Sequence, residues 1–316
     1  MKKKHDFKYS DDNKRYHTYN YFLRQKYHQK CFRIPLDAGF TCPNRDGERG
    51  IMGCSFCSIA GSGDTIIRGT LQAQIDDGFK VMRNKWPDGL GMAYFQAYTN
   101  TYDTLENLKE LYDPFFEDDR IIAVIIATRA DCLDKEKIEY FKEKAKHKDL
   151  YIEIGLQTIH PITNYYINRG HDNQIVTDTV KMLQEANIHT TLHIINGLPN
   201  ETPQMMLDTA QYCADLKVDG IKIHMFQILK NTLEAYRYKK DPYPLLTQDE
   251  FVDITIKQLQ LLPQETVIMR LTGDPVVSEL VGPKWTTNKI SVLNQIDKTM
   301  AKYNLQQGDM INEKQQ

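Results

Sequence analysis

Three cysteines fall in one short segment of this 316-residue chain: Cys42, Cys54 and Cys57. Eleven residues separate the first two and two separate the last pair. The segment, Thr41-Cys42-Pro43-Asn44-Arg45-Asp46-Gly47-Glu48-Arg49-Gly50-Ile51-Met52-Gly53-Cys54-Ser55-Phe56-Cys57, is rich in Gly and polar residues and reads as a loop. No fourth Cys follows at metal-ligand spacing. Structural zinc wants four ligands, commonly as two close pairs, so a zinc site here would need a His from elsewhere. Three soft ligands with one position open suit a [4Fe–4S] cluster whose fourth iron stays available to a substrate or cofactor.

The other thiols read differently. Cys31 opens an apolar run outside the Gly-rich loop and is expected inside a strand, although its ten-residue distance from Cys42 imitates a longer ligand series. Cys132 falls in a strand-end loop and Cys213 on a helix, where packing is the default for both.

The elements that must carry the loop are legible as β-then-α alternation. Strands are expected over 31–36, 92–97, 121–127, 151–156, 190–196, 220–228 and 267–271, and helices over 71–86, 105–116, 135–147, 172–186, 203–216 and 248–262. The run Ile121-Ile122-Ala123-Val124-Ile125-Ile126-Ala127 is nearly continuously apolar, as a parallel strand buried on both faces would be. Thr202-Pro203 and Thr247-Gln248-Asp249-Glu250 carry helix-start signals. Such alternation implies a parallel sheet, doubly wound or curled into a barrel. No G-x-G-x-x-G follows the first strand, so a dinucleotide-binding reading has no support. Polar residues collect at the expected C-terminal strand ends, where barrels place their chemistry: Gln96 and Asn100, then Thr128, Arg129 and Asp131, then Gln157, then Asn196 and Gly197.

Composition sets the outer bounds. No apolar run approaches the ~20 residues that span a bilayer, and the N-terminus lacks the apolar core of a secretory signal. Six cysteines without such a signal point to a reducing cytosol. The net charge of −2 hides an asymmetry, because residues 1–30 hold nine Lys or Arg against three Asp. Five Tyr and three His are interleaved with that charge. Basic plus aromatic suits a nucleic-acid surface; a solvated tail leading into an ordinary helix is the alternative.

An aromatic inside the final C-x-x-C, a third Cys upstream and a following β/α array resemble the radical S-adenosylmethionine (radical SAM) enzymes. The eleven-residue first gap departs from their common spacing of three and resembles the Elongator-like branch. Within it, a bacterial family linked to tRNA wobble-uridine modification is similar in many ordered blocks: Asp37-Ala38-Gly39-Phe40-Thr41-Cys42-Pro43-Asn44-Arg45-Asp46-Gly47, Tyr94-Phe95-Gln96-Ala97-Tyr98-Thr99-Asn100-Thr101-Tyr102, Thr128-Arg129-Ala130-Asp131-Cys132-Leu133, Glu153-Ile154-Gly155-Leu156-Gln157-Thr158, Asn168-Arg169-Gly170-His171, Gly197-Leu198-Pro199-Asn200-Glu201-Thr202, Lys222-Ile223-His224 and Arg270-Leu271-Thr272-Gly273-Asp274. These blocks span roughly residues 20–300.

The resemblance implies an α/β fold: a partial (β/α)6 TIM-like barrel of the radical SAM type over residues 31–245, a basic extension over 1–30 and a C-terminal α/β extension over 246–316. It implies that Cys42, Cys54 and Cys57 ligate one [4Fe–4S] cluster and that the fourth iron chelates S-adenosylmethionine, whose reductive cleavage yields a 5'-deoxyadenosyl radical. It further implies a one-electron reductant such as flavodoxin or ferredoxin, a tRNA substrate, and conversion of 5-carboxymethylaminomethyluridine, or its 2-thio form, to the 5-aminomethyl nucleoside. Phe56 is expected to shield the cluster, pack on an adenine or make a simple core contact; Gln96 to meet the methionine amine or be a satisfied loop amide; and Gly197 to let backbone approach the adenine or form a plain turn. Glu153 and Gln157 share a strand face, and an inward Glu needs a partner such as a cofactor ribose or an arginine. Arg129 and Asp131 either grip a carboxylate and orient a base or pair with each other; Arg169 meets Glu153 or the cofactor carboxylate. His171, His193 and His224 are donors or satisfied core histidines. Two rival readings are a radical SAM oxidoreductase on a small metabolite or porphyrin precursor and a zinc-stabilised RNA-binding protein.

Overall fold

A computed structural model of the chain describes residues 5–58, 61, 66 and 69–313. In chain order its elements are α1 (Tyr19–Tyr27), β1 (Cys31–Leu36), α2 (Leu71–Lys85), β2 (Leu90–Phe95), α3 (Leu105–Glu117), β3 (Ile121–Thr128), α4 (Lys135–Ala145), β4 (Asp149–Gln157), α5 (Pro161–Tyr166), α6 (Asn173–Glu185), β5 (His189–Asn196), α7 (Pro203–Asp215), β6 (Gly220–Met225), β7 (Ile228–Leu229), α8 (Leu233–Lys240), α9 (Gln248–Leu261), β8 (Val267–Arg270), β9 (Leu280–Gly282), α10 (Lys289–Lys302) and α11 (Asp309–Glu313). Each crossover helix has a chemical start signal. Thr70, Thr104, Asp134, Asp172 and Thr202 accept a backbone N–H of the turn that follows, which is worth about 1 kcal/mol per cap.

Seven parallel strands form one sheet in the order β1-β2-β3-β4-β5-β6-β8, so neighbours in sequence are neighbours in space. That order is a curled wall rather than a doubly wound sheet, and its two edges, β1 and β8, leave the barrel open. The expected partial barrel is therefore present, and the segment after residue 246 adds to it: β8 pairs with β6 as a seventh strand and α9 packs on α7. The strand expected over 220–228 ends at Met225, and the chain turns before β7, which pairs antiparallel with β9.

Alternation along each strand separates two cores. Outward residues such as Ile34, Phe95, Val124, Ile152, Leu192 and Ile221 are buried against the helices. Inward residues Cys31, Met92, Ala123, Ile125 and Tyr151 fill the lower barrel with Leu23 of α1. Cys31 is thus a strand-interior thiol, as its apolar surroundings imply.

α1 touches both open edges, β1 and β8, and Thr18 makes a parallel bridge to Ile268. The N-terminal segment consequently closes the mouth at the strand N-termini. Its aromatic residues are used in packing: Phe7 and Tyr16 are buried, Tyr9 stacks on His17, and Phe22 meets Tyr151 and His189 edge-on. Its cations are largely paired, Lys14 with Asp297, Arg24 with Asp11 and Lys26 with Asp149. Residues 5–28 pack as a plug, with Lys8, Arg24 and Lys26 left at its surface; Lys2, Lys3 and Lys4 lie outside the described residues. Among the described residues, no helix is long and apolar enough to cross a membrane.

Candidate functional site

The cysteine loop leaves β1 and folds back on itself. Arg45 N–H donates to Cys42 O (2.8 Å), Arg49 N–H to Pro43 O (2.8 Å) and Gly53 N–H to Asn44 O (2.7 Å), which returns Cys54 toward Cys42. Cys57 N–H closes on Cys54 O at 3.0 Å. A second segment, Asn168-Arg169-Gly170-His171, clasps this loop. Asn168 Nδ2 donates to Gly53 O (2.8 Å), Ser55 N–H to Ile167 O (2.8 Å), and the buried Asn44 donates to Asn168 O. Gly170 is required here: its φ is +81°, and a Cβ would lie 2.4 Å from Asn44 Oδ1.

All three thiols of the loop line one cavity of about 220 Å³ at the C-terminal mouth of the barrel. Among the described residues, no three His, Cys, Asp or Glu side chains converge on a single metal ion, and no disulfide joins any of the six cysteines. Burial pushes the Cys54 thiol up to about 12, with Cys57 and Cys42 adding to the rise. Three guanidinium groups, Arg45, Arg129 and Arg169, line the same cavity. Arg45 Nη2 donates to Cys57 O (3.1 Å) and Ser58 O (2.6 Å), pinning the C-x-x-C turn.

Of the residues expected at the site, Phe56, Gln96, Arg129, Glu153, Gln157 and Arg169 line this cavity with the three cysteines. Their roles are not all the expected ones. Arg129 and Asp131 pair with each other in a two-pronged contact, Nε–Oδ1 2.9 Å and Nη2–Oδ2 2.9 Å, and Arg49 adds a third contact to Asp131 at 3.2 Å. Burial raises the Asp131 pKa, but Arg129 outweighs it and holds the carboxyl below its ordinary range. The Asp131 side chain is only 2% exposed, and of the two alternatives for this pair the mutual contact is the one present.

Arg169 is fully committed to the protein. It donates to Leu156 O, Thr158 O (3.2 Å), His171 O (3.0 Å from Nη2) and Asn173 Oδ1 (2.7 Å), tying the end of β4 to the clasp. Glu153 is not among these acceptors, and Arg169 still lines the cavity. Gly197 is not brought to the cavity either. It sits with Asn196, Phe226, Leu246 and Trp285 on the far side of the wall, where a Cβ would meet Leu246 at 3.0 Å.

Gln157 has φ +65°, uncommon for a residue with a side chain, and the register with β5 slips between Gly155 and Gln157. The slip folds its amide back over Gly155, whose hypothetical Cβ would lie 2.7 Å from Gln157 Nε2. Local strain thus aims Gln157 into the cavity. Phe56 packs against Ile167, Ile195 and Phe226 while also forming cavity wall.

Glu153 forms the floor and is almost wholly buried. Its Oε2 accepts from Tyr94 OH (2.9 Å), His193 Nε2 (3.1 Å) and Lys222 Nζ, and Arg33 Nη1 lies 3.7 Å from Oε1. Burial alone would raise this carboxyl; Lys222 first, then His193 and Arg33, hold it well below its ordinary range. Burial lowers Lys222 to about 8, against the opposing pull of Glu153. The inward Glu therefore finds its partner in the barrel, and that partner is Lys222. Arg33, Tyr94 and Lys222 are legible as lone polar residues in apolar strands, but which of them meet depends on the strand stagger.

A second cavity, about 290 Å³, adjoins the first and shares Phe56, Cys57, Gly61, Gln157 and His193 with it. It adds His224, Gln227 and Arg270 from the β6 and β8 ends.

The model of the Radical SAM superfamily matches residues 42–213, and that of the Radical_SAM C-terminal domain matches residues 218–302. The protein YtqA of Bacillus subtilis (strain 168) is 42% identical over 310 residues, covering 98% of this chain and 96% of that protein. The chain belongs to the radical SAM superfamily. It is an enzyme of that superfamily, whose cofactors are a [4Fe–4S] cluster and S-adenosylmethionine. A tRNA uridine(34) acetyltransferase of Methanocaldococcus jannaschii is 24% identical over 159 residues, covering 49% of this chain and 29% of that protein. An archaeal Elp3 from Methanocaldococcus infernus shares the fold with TM-score 0.66 at 14% identity, over 88% of this chain and 64% of that one.

The residues present fit the radical SAM cluster. Ligation as thiolates would place three negative charges beside Arg45, Arg129 and Arg169, and it would relieve the burial cost that raises Cys54. Asn44 Nδ2 lies 3.8 Å from Cys54 Sγ, a donor already aimed at a ligand sulfur. Sulfur hydrogen bonds of this kind tune iron–sulfur sites.

Proposed function

We propose that this radical SAM enzyme modifies tRNA, converting 5-carboxymethylaminomethyluridine at the wobble position, or its 2-thio form, to the 5-aminomethyl nucleoside. The observation that carries the radical assignment is the ring of Cys42, Cys54 and Cys57 at the barrel mouth, facing three guanidiniums and opening into a second cavity. The tRNA assignment is supported by the ordered sequence blocks from Asp37 to Asp274 and by the likeness to an enzyme named for uridine 34.

Cys42, Cys54 and Cys57 would hold the cluster. When bound and reduced by a one-electron donor such as flavodoxin or ferredoxin, the cluster and S-adenosylmethionine supply a primary carbon radical that abstracts hydrogen from substrate. The chain supplies everything around that event. Gln96 and Gln157 present amides from two strand ends, Phe56 offers an apolar face, and Glu153 closes the floor as a fixed carboxylate. The Arg129–Asp131 pair and the Arg169 clasp hold the walls in place, so the cavity is organised before any ligand enters.

Mass spectrometry of tRNA nucleosides from cells with and without the gene tests the substrate. When the protein is absent, 5-carboxymethylaminomethyl nucleosides should accumulate and the 5-aminomethyl forms should fall. An unchanged wobble nucleoside profile overturns the tRNA assignment.

A further inference from the structure

Four arginines line the two adjoining cavities: Arg45, Arg129, Arg169 and Arg270. Three are spent on the protein itself. Arg129 holds Asp131 and Arg169 O, Arg169 holds four acceptors of the clasp, and Arg45 pins the C-x-x-C turn. Arg270 differs. Among the described residues its guanidinium makes one hydrogen bond, from Nη2 to Asp274 Oδ2, and Asp274 is held independently by Lys289 Nζ at 2.7 Å. Its side chain is 35% exposed, so the guanidinium can turn to a ligand while Lys289 keeps Asp274 compensated. The fork of N–H donors left over matches a carboxylate.

The surroundings also favour an anion. The buried Lys222 and the partly exposed Arg33 both face the single carboxylate of Glu153, so cations outnumber carboxylates in that layer of the barrel. His193 and His224 bring no negative charge, and burial together with these cations pushes both imidazoles down toward the neutral form. The Gln227 amide is buried with no partner among the described residues, a donor waiting on the same wall. Phe56, Ile195, Phe226, Pro275 and Val276 give the lining its apolar faces; Cys57, Ser58, Gln157 and Asp274 add polar groups, and the Asp274 carboxylate is held by Lys289. A cavity of about 290 Å³ stands near the lower end of small-molecule sites, which run roughly from 300 Å³ upward.

We propose that the second cavity is the substrate pocket, that it takes a planar heterocycle bearing a carboxylate arm, and that Arg270 is the residue that reads the carboxylate. This assignment rests on the reading of the first cavity as the cofactor site. The ring lies between the apolar walls, the arm reaches Arg270, and Gln227 serves a polar edge of the ring. Arg270 is a specificity residue: it selects the acid over the corresponding neutral or cationic compound.

Equilibrium binding to the anaerobically reconstituted protein tests this with three probes: 5-carboxymethylaminomethyluridine, 5-aminomethyluridine and indole-3-acetate. The acid nucleoside should bind at least ~10-fold tighter than the amine, in line with a charge-assisted hydrogen bond. Arg270→Gln should cut acid affinity by about 10- to 100-fold, leaving the amine nearly unchanged. Arg270→Lys, which keeps the charge and loses the fork, should fall between them and guards against a folding defect in Arg270→Gln; iron content per chain checks both. Acid affinity that survives both substitutions overturns the proposal. Indole-3-acetate separates its failure from that of the tRNA reading. Arg270-dependent binding of indole-3-acetate without nucleoside binding upholds the pocket and counts against uridine as substrate, whereas no binding of either acid overturns the pocket and leaves the tRNA nucleoside profile to decide the rest.

Discussion

The two mouths of the barrel are built from similar residue types and do opposite things with them. At the strand N-termini, α1 seals the opening with aromatic rings and satisfied pairs: Lys26 and Tyr27 both reach Asp149, and Tyr27 OH meets Tyr151 OH at 3.0 Å. At the strand C-termini, the polar groups converge on a cavity, and backbone is held in unusual conformations, with Gln157 at φ +65° and Tyr98 at φ +57°. Basic and aromatic residues therefore mark a plug at one end and a site at the other. What distinguishes them is what the side chains surround: packed rings and α1 at one end, a cavity lined by three thiols at the other.

The layer between the mouths carries the largest predicted effect. Lys222→Met strips the main counter-charge from buried Glu153 and should cost about 3–5 kcal/mol of stability, measured by chemical denaturation. Pairing it with Glu153→Gln should restore part of the loss. The plug comes next. Leu23→Ala empties space among Cys31, Met92, Ile125 and Tyr151 and should cost about 2–4 kcal/mol, while reconstituted iron per folded chain stays unchanged. If iron falls with stability, the two ends are not independent. The smallest effect belongs to Lys26→Ala, a half-exposed ion pair worth about 0–1 kcal/mol. Its affinity for tRNA in a filter-binding assay should equal that of the parent if Lys26 serves only the pair with Asp149; a marked fall would give α1 a nucleic-acid role.

Much of the active mouth is legible in the amino-acid sequence. The cysteine spacing, the Gly-rich loop and the apolar strand runs carry their own chemistry, and Cys31 declares itself a core thiol by its apolar neighbours. The roles of Arg129, Arg169 and Gly197 are not legible there, because they depend on which acceptors the folded backbone offers. Arg169 lies next to carbonyls of Leu156 and Thr158 only because β4 ends where it does. Gly197 faces Leu246 because the chain after α8 returns over the outside of the wall. The N-terminal segment leaves two readings open for a related reason: Lys and Tyr bury their stems and rings against a barrel as readily as they stack on bases. Arg33 and Lys222 form one charged layer only through the strand stagger, which no single strand displays.

The central claim is that Cys42, Cys54 and Cys57 together hold one four-iron cluster that opens onto the cavity. Anaerobic reconstitution of the parent, of Cys54→Ala and of Cys31→Ala, with iron and 5'-deoxyadenosine measured on each, tests it most directly. The parent and Cys31→Ala should each hold about four irons per chain and release 5'-deoxyadenosine on reduction, and Cys54→Ala should lose both. Full iron content in Cys54→Ala, or its loss in a folded Cys31→Ala, would contradict it.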